Sequence, residues 1–483
     1  LGDVVVATRS QPLTMRTLRS TVLAGALCLA GAGVVFAHAI LRHSEPSAGS
    51  RLSAPPRELR LTFSEPPELA ITTIELLDAN GAAVALGKIV KGDARTIVAP
   101  IAGTLPPGDY TIAWRTAAAD GHATHGRFGF TVLPPAGAAG GAASPMVPGG
   151  EAAGAVTAPG RAPPPASHHM MPAGEEDAFD ASSPAYVAVR WLLFAALVAM
   201  VGAATFRLLV LGAIRRRPRA GGGEIEPRVA RRTASVGLVA AVIVVATALA
   251  RLVAESYAMH GAAHAFDTDR IGMLIGSTVW GWGWLLQLGA GVLGVVAFAL
   301  ARRGAAGWAL AALAALLAAA SPALSGHAAA APRLAALAIA ADTAHVLGAA
   351  GWLGSLLALV VAGIPAVRGK SGAAAELVNA FSPTALSFAG LTVASGVFSA
   401  WLHVGSIAAL GSSSYGRMLL VKLAVVALTA ATGAYNWLRV RPALGSDQAT
   451  QRLRRSASLE LVVGLGILLV TAILVGLPTP VSE

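Results

Sequence analysis

The stretch VVFAHAILRHSEP, residues 34–46, is where an apolar run ends and a charged segment containing proline begins. Upstream, residues 15–37 combine two arginines, an apolar run of about the length of a signal-peptide core, and small residues at the boundary. The pattern predicts a signal peptide that is cleaved after Ala37, so that His38 becomes the first residue of the mature chain. The alternative is a first transmembrane helix that stays attached. Residues 1–14 contain no methionine, and we expect them to reflect an upstream mis-start.

The composition of the 483 residues excludes an ordinary water-soluble protein, because 55% are hydrophobic and only 13% are charged. The net charge of +11 would suggest nucleic acid as a partner of a soluble protein. Here the arginines cluster in short loops between apolar runs, where they determine membrane topology, and we expect no nucleic-acid binding. The single cysteine, Cys28, excludes a disulfide framework and a multi-cysteine metal site.

Residues 38–133 alternate apolar and polar positions with a period of two in several short stretches, which are separated by Pro, Gly and Asn-Gly turns. The pattern predicts a small all-β sandwich of immunoglobulin-like size, with Trp114, Phe128 and Phe130 in its core.

One polar cluster in this domain, AADGHATHGRF at residues 118–128, has the residue types of a metal site. In an extended segment Asp120 and His122 would point to the same side, with Gly121 between them leaving the approach open. A newly exposed His38 would add its α-amine and its imidazole. Three nitrogens and one carboxylate oxygen suit tetragonal Cu(II). An Asp-x-His pair alone is weak evidence, and a solvated loop histidine is the alternative.

The stretches AHAILRHSEPSAGSRLSAPPRELRLTFSEPPE and RTAAADGHATHGRFGFTV, residues 37–68 and 115–132, resemble the copper resistance protein C (CopC) family. The resemblance implies an immunoglobulin-like or cupredoxin-like sandwich that binds Cu(II) through three ligands: His38, Asp120 and His122. His43 and His125 are possible auxiliary ligands. Because residues 38–133 contain no methionine, we expect a Cu(II) site without the Cu(I) site of some relatives.

Residues 134–183 are rich in Pro, Ala and Gly, and this composition predicts a flexible linker. Within it, SHHMMPAGEED offers imidazoles and thioethers that would attract Cu(II) and Cu(I). The four residues are His168, His169, Met170 and Met171. The alternative is a chance polar patch in a low-complexity segment.

Residues 184–483 contain eight apolar runs long enough to cross a membrane, and they predict an all-α bundle of eight transmembrane helices. The runs are 187–213, 233–253, 279–301, 305–323, 335–361, 384–404, 418–438 and 458–477. Basic residues are concentrated in alternate loops, those after the first, third, fifth and seventh spans. The positive-inside rule makes these loops cytoplasmic. We therefore expect a multi-pass protein of a bacterial inner membrane, with the lipid bilayer as partner and with the β domain and the carboxyl terminus outside.

This topology places every histidine of the predicted bundle in the outer half or the outer loops: His260, His264, His327, His345 and His403. We interpret them as an external vestibule. His260 and His264 would share a face if their loop is helical, and Asp342 and His345 share a face of the fifth span. An acidic residue inside a span is costly, which makes Asp342 a functional candidate. A structural polar contact between helices is the alternative.

Other polar and aromatic residues of the bundle have simpler interpretations. Trp280, Trp282 and Trp284 are expected in an interfacial aromatic belt. Three charged residues are expected near helix ends, where snorkelling or helix pairing would explain them: Arg190, Lys422 and Glu460.

The segments SGHAAAAPRLAALAIAADTAHVLGAAGWLGSL at 325–356, FSPTAL at 381–386, YGRMLLVKL at 415–423 and SLELVVGLGILLVTAILVGLPTP at 458–480 resemble the copper resistance protein D (CopD) family. The resemblance implies an integral inner-membrane partner of CopC, which is often fused to it in one chain. The family features map onto three residues: His327, Asp342 and His345.

Taken together, the sequence predicts a fused copper homeostasis protein, not an enzyme. The external domain would capture Cu(II), and the bundle would move copper inward as Cu(I) or Cu(II), with external copper chaperones as possible partners. No nucleotide-binding loop is visible, so uptake would not be driven by ATP. The alternatives are a haem-based membrane electron-transfer protein, and a copper sensor or storage protein without transport.

Overall fold

The computed structural model describes residues 41–118, 121, 123–135, 179, 183–216, 225–330, 334–369, 371–443, 446–477 and 480. All of them belong to one unit of the chain, Ala37–Glu483. The predicted signal peptide and almost all of the linker, with its His168, His169, Met170 and Met171, lie outside the described residues.

The first part of the unit is an all-β domain of two sheets, as the period-two pattern predicts. Its strands are β1 Leu41–Glu45, β2 Arg51–Leu52, β3 Glu58–Phe63, β4 Thr73–Leu77, β5 Ala83–Val84, β6 Val90–Lys91, β7 Thr96–Pro100, β8 Gly108–Ala117 and β9 Ala123–Val132. One sheet has the order β1-β3-β7-β6 and the other β2-β9-β8-β4-β5. Within these sheets the short β2 pairs parallel with β9, and the other pairs are antiparallel.

The core of this domain lies between the inward faces of the two sheets. Trp114, Phe128 and Phe130 are buried there, as predicted. Phe63 meets Trp114 edge to face across the sheets, with ring centroids 5.2 Å apart. Aromatic packing of this kind stabilises a domain whose residues from 38 to 133 contain no cysteine.

The rest of the unit is helical, and within the described residues eight helices are long and apolar enough to cross a membrane. In chain order the helices are α1 Pro184–Arg215, α2 Glu226–His260, the short amphipathic α3 Thr268–Ser277, α4 Val279–Ala301, α5 Ala306–Leu324, α6 Ala335–Ala366, α7 Gly372–Val404, α8 Ser414–Val440 and α9 Gln448–Leu474. The prediction of eight spans is confirmed, with α3 as an added helix between the second and third spans.

Several helices extend beyond the apolar runs that predicted them. α2 begins at Glu226 and not near residue 233, and α9 begins at Gln448 and not near residue 458. The reason is local, since backbone hydrogen bonding continues into polar segments when a capping group is present. Ser446, for example, caps α9 by accepting a hydrogen bond from the Ala449 N–H.

Two predictions about single residues of the bundle are wrong. Trp282 is 64% exposed, as an aromatic belt requires, but Trp280 and Trp284 are buried, because other parts of the protein cover them. Glu460 lies near the middle of α9 and not near its end, and it is only 4% exposed. The extension of α9 into polar sequence accounts for this difference.

The helices α1 and α6 cross in close contact at glycine. A Cβ atom added to Gly202 would overlap the backbone of Gly354. Further along α6, a Cβ on Gly348 would lie 2.6 Å from the hydroxyl of Thr392 in α7. Small residues at these crossings let the fifth span pack tightly between the first and the sixth.

Candidate metal sites and the junction between the domains

The proposed Cu(II) ligands His38, Asp120 and His122 lie outside the described residues. The structure does describe the frame that carries the last two. β8 and β9 form a long hairpin whose register ends at the pair Ala117 and Ala123. The Asp-x-His motif therefore belongs to the connection at the tip of this hairpin.

Gly121, between the two proposed ligands, contacts the membrane domain. Its φ of 84° lies in the left-handed region that favours glycine. A Cβ atom at this position would overlap the ring of Trp280, the second residue of α4. The absence of a side chain therefore lets the hairpin tip rest directly on Trp280, and Gly121 is buried in this contact.

An apolar cluster surrounds this contact. It contains Ala117 of β8 together with four buried residues of the helical part: Met259, Leu274, Trp280 and Trp284. Ile71 and Ala123 of the β domain pack against the same cluster. The hairpin tip is thus seated on the adjacent ends of α2 and α4, beside α3.

Two charged residues of the β domain bind these helix ends with matching sign. Arg115 of β8 donates a hydrogen bond to the Met259 carbonyl in the last turn of α2, at 3.0 Å. Glu68 accepts one from the backbone N–H of Val279, the first residue of α4. A cation at a carboxyl-terminal end and an anion at an amino-terminal end both favour the helix dipole.

Burial at the junction affects both groups. Desolvation raises the pKa of Glu68, although the Val279 N–H and Lys91 act in the opposite direction. Desolvation likewise lowers the pKa of Arg115, with the nearby Arg270 contributing. The junction therefore excludes part of the solvent from both charges.

Beneath Trp280 lies a buried polar network that sequence reasoning did not single out. The guanidinium carbon of Arg251 lies 5.1 Å from the centroid of the Trp280 ring. Arg251 Nη1 donates hydrogen bonds to Gln287 Oε1 at 3.0 Å and to Ser325 Oγ at 3.1 Å. Nearby, the Tyr186 hydroxyl donates to Glu255. Two charged residues close together in an apolar run, Arg251 and Glu255, were the available signal.

A second polar group joins α6 to α7. Ser399 Oγ donates to Asp342 Oδ1 at 3.0 Å, and His345 Nδ1 lies 3.1 Å from the Thr392 carbonyl and 3.3 Å from Ser395 Oγ. Asp342 and His345 therefore share one face of α6, as their spacing predicts, and this face contacts α7. From α8, Tyr415 and Lys422 interact electrostatically with Asp342.

The remaining histidines of the bundle occupy different surroundings. His403 Nδ1 lies 2.8 Å from the carbonyl of Ser399, so Ser399 contacts both His403 and Asp342. α2 ends at His260 because Gly261 adopts a φ of 71°, and His264 is exposed in the following 3-10 turn. The two therefore do not share a helix face. His327 begins a short helix, His327–Ala330.

The two auxiliary candidates of the β domain are exposed on its strands. His43 lies on β1, where its Nε2 is 3.6 Å from Glu45 Oε1. His125 lies on β9, in the register position opposite Arg115. Their roles as auxiliary ligands remain predictions.

Three family models match the chain in succession. The CopC domain matches residues 41–133, the N-terminal domain of copper resistance protein D-like proteins matches 179–336, and copper resistance protein D matches 375–474. Protein YobA of Escherichia coli (strain K12) is 32% identical over 100 residues, which cover 20% of this chain and 81% of the relative. Copper transport protein CutJ of Bacillus subtilis (strain 168) is 26% identical over 454 residues, which cover 92% of this chain and 75% of the relative.

The chain is a CopC–CopD fusion. Its family is one of copper resistance and copper transport, and its CopD part is a multi-pass membrane domain. Among solved structures, CopC from Methylosinus trichosporium OB3b is 31% identical, and the match covers 20% of this chain and 95% of that chain with a TM-score of 0.19.

The CopD domain contains no compact cluster of conventional metal ligands within its described part. No three His, Cys, Asp or Glu side chains there are placed to hold one ion together. Asp342 and His345 instead stand among hydroxyl and carbonyl oxygens of α7. These groups, which follow one another along the helices, can contact a cation with one or two strong ligands at a time.

Proposed function

We propose that the CopC domain captures Cu(II) outside the membrane and passes copper to the CopD domain, which moves it inward. The observation that supports this most directly is the seat of the hairpin tip. Gly121, between the proposed ligands Asp120 and His122, rests on Trp280 at the end of α4. Bound copper would therefore be released at the membrane domain and not into bulk solvent.

The proposed capture site has four donor groups. His38, once it is the first residue, supplies its α-amine and imidazole, Asp120 a carboxylate oxygen and His122 an imidazole. This set suits Cu(II), and binding requires the nitrogens to be deprotonated. Capture should therefore weaken as the pH falls below neutrality.

The outward orientation of the CopC domain is supported by the charges on α2. The domain contacts the carboxyl-terminal end of this helix, at Met259. The opposite end carries three arginines: Arg228, Arg231 and Arg232. Under the positive-inside rule that basic end is cytoplasmic, which puts the CopC domain on the external side.

The proposed inward path follows α6 and α7. Asp342, His345 and His403 offer a carboxylate and two imidazoles, with the Thr392 and Ser399 carbonyls and the Ser395 hydroxyl close by. His260, His264 and His327 would serve as earlier contacts near the outer surface, before copper reaches α6.

Copper uptake into proteoliposomes tests this function. We expect Asp342→Ala and His345→Ala each to lower the rate by about tenfold or more, since even an outer partner of a metal ligand is worth that much. Cu(II) binding by the CopC domain of the same chains, followed by its d–d absorbance, should not change. Thr343→Ala is the matched control, because Thr343 lies on the same helix and, among the described residues, its hydroxyl bonds only to the Ile339 carbonyl.

The uptake measurement, together with a haem-binding test, separates the alternative functions. Uptake that is unaffected by both substitutions would contradict the proposed path. A wild-type chain that binds copper but moves none would indicate a sensor or a storage protein. A Soret absorbance after addition of haem, lost in His345→Ala, would favour the electron-transfer protein.

A further inference from the structure

Glu460 is a buried carboxyl group that the proposed copper path does not use. It lies in α9, two residues inside the apolar run 458–477, and 4% of it is exposed. A buried carboxyl in a spanning helix is costly and normally has a function.

The groups that contact Glu460 are neutral. The Asn436 amide donates to its Oε2 at 3.3 Å, and the Trp352 indole also donates a hydrogen bond. Gly433 lies beside it and contributes no side chain. Two neutral hydrogen bonds do not compensate the cost of a negative charge in this position.

The charged and titratable side chains of the helices around α9 interact elsewhere or face outward, and within the described residues none of them contacts Glu460. They are Tyr186, Arg190 and Arg207 on α1, Asp342 and His345 on α6, Glu376 and His403 on α7, Tyr415, Arg417, Lys422, Tyr435 and Arg439 on α8, and Arg452, Arg454 and Arg455 on α9 itself. Lys422 and Tyr415 interact with Asp342, and Arg190 stacks on Tyr186. Glu460 is therefore without a counter-charge in this part of the structure.

Asn436 gives a second and independent indication. Its Oδ1 is buried and accepts no hydrogen bond in the described structure. The two ends of an amide are assigned from their hydrogen bonds, so the group can be reversed. With the amide reversed and Glu460 protonated, the carboxylic O–H would donate a hydrogen bond to Asn436 Oδ1, which would then have a partner.

Both partners of Glu460 lie in π-helical segments. Trp352 is in Ala350–Gly354 of α6, and Asn436 begins Asn436–Val440 of α8. Such bulges are frequent at functional sites, because the widened turn projects side chains out of register. Trp352 also lies seven residues, about two turns, beyond His345 on the same helix.

We propose that Glu460 binds and releases a proton within the membrane domain, and that Trp352 links its protonation to the copper path on α6. On protonation, a carboxylate oxygen gains the proton and keeps it, and the resulting O–H donates a hydrogen bond to Asn436 Oδ1. On release, the carboxylate draws the Trp352 indole toward itself and changes the π-helical segment below Asp342 and His345. The linkage to copper rests on the proposed transport function, whereas the proton site does not.

Infrared spectroscopy of the copper-free full chain in liposomes tests the proton site. The wild type should show the C=O band of a protonated carboxylic acid at neutral pH, and Glu460→Gln should lose it. Asn436→Leu should shift the band to higher wavenumber, since a hydrogen bond is removed. Glu226→Gln is the matched control, because Glu226 is ion-paired with Arg207 and Arg215 and should not contribute. A band that persists unchanged in Glu460→Gln would overturn the assignment.

Copper uptake at different pH gradients tests the linkage. The wild-type rate should change with the gradient, and Glu460→Gln should take up copper at a rate that no longer depends on it. Glu460→Asp should restore the dependence. A dependence that survives in Glu460→Gln would contradict the linkage. If the wild type moves no copper, the transport proposal fails, and the infrared band alone decides whether Glu460 is a proton site.

Discussion

At the scale of single residues, the amino-terminal histidine has the most specific proposed role. Once it starts the chain, His38 can give two nitrogens to Cu(II), whereas an interior His38 can give one. The distinction depends on a single peptide bond. It does not depend on any contact within the folded domain.

We therefore expect one extra residue ahead of His38 to weaken Cu(II) binding sharply. The α-amine becomes an amide, which removes a basic nitrogen from the ligand set, and the affinity should fall by about ten- to a hundredfold, the range found for altered metal environments. Competitive Cu(II) titration of the mature full chain would measure the change. An equal extension at the carboxyl terminus is the control. An affinity equal to that of the wild type would show that the amine is not a ligand.

How far single residues can be predicted depends on what covers them. That Asp342 and His345 share one face of α6 follows from their spacing of three on a helix, whereas the contact of that face with α7 is known from the structure alone. Trp280 could not be predicted, because its burial comes from the CopC hairpin and from Arg251, which are distant in sequence. Periodicity describes the face of one element and carries no information on its neighbour.

At the scale of elements, the number of spans was predictable and their ends were not. Eight apolar runs are required by the thickness of the bilayer, and eight helices are present in the described part of the chain. The extra turns of α2 and α9 depend on hydrogen bonds outside the membrane. The π-helical segments around Trp352 and Asn436 could not be predicted from hydropathy, because hydropathy does not record which carbonyl each backbone N–H bonds.

The crossing of α1 and α6 gives a prediction about the stability of the bundle. We expect Gly202→Ala to destabilise the protein, because the new methyl group would overlap the Gly354 backbone and force the helices apart. Overpacking of this kind costs about 1–3 kcal/mol. Thermal unfolding of the full chain in detergent should show a lower Tm.

Two glycines in similar helices provide the controls for that measurement. Gly289 of α4 and Gly466 of α9 have no neighbouring atom within 4 Å of an added Cβ. Alanine at either position should leave the Tm unchanged or raise it, since glycine is a poor helix former. If Gly202→Ala behaves like these controls, the close crossing of α1 and α6 is incorrect.

At the scale of the whole molecule, side chains of the CopC domain form hydrogen bonds with the backbone at two helix ends of the bundle. Arg115 meets the last turn of α2, and Glu68 meets the first turn of α4. The apolar cluster around Trp280 lies with them. A junction that joins an apolar cluster to two partly buried charges can be released by moderate changes, as the proposed donor of copper would require.

The protonation state of Glu68 makes the stability of this junction dependent on pH. Burial raises its pKa in the docked state above the ordinary value, so the docked state favours the protonated carboxyl. Its contribution to docking is therefore complete below the ordinary pKa and is lost as the pH rises through the raised one. At neutral pH the ionised carboxylate reduces the stability of docking relative to a neutral group.

We therefore expect the CopC domain of the Glu68→Gln variant to dock at least as well as that of the wild type at neutral pH. Docking in this variant should no longer depend on pH in the acid range. The amide oxygen can still accept the Val279 N–H, which is the first amide of α4 and has no partner within its own helix. Glu68→Ala removes the acceptor and should expose that amide. Hydrogen exchange at Val279, expressed as protection relative to the intrinsic rate at each pH, measures the difference. Equal protection in the Gln and Ala variants would show that residue 68 does not hold the CopC domain on α4.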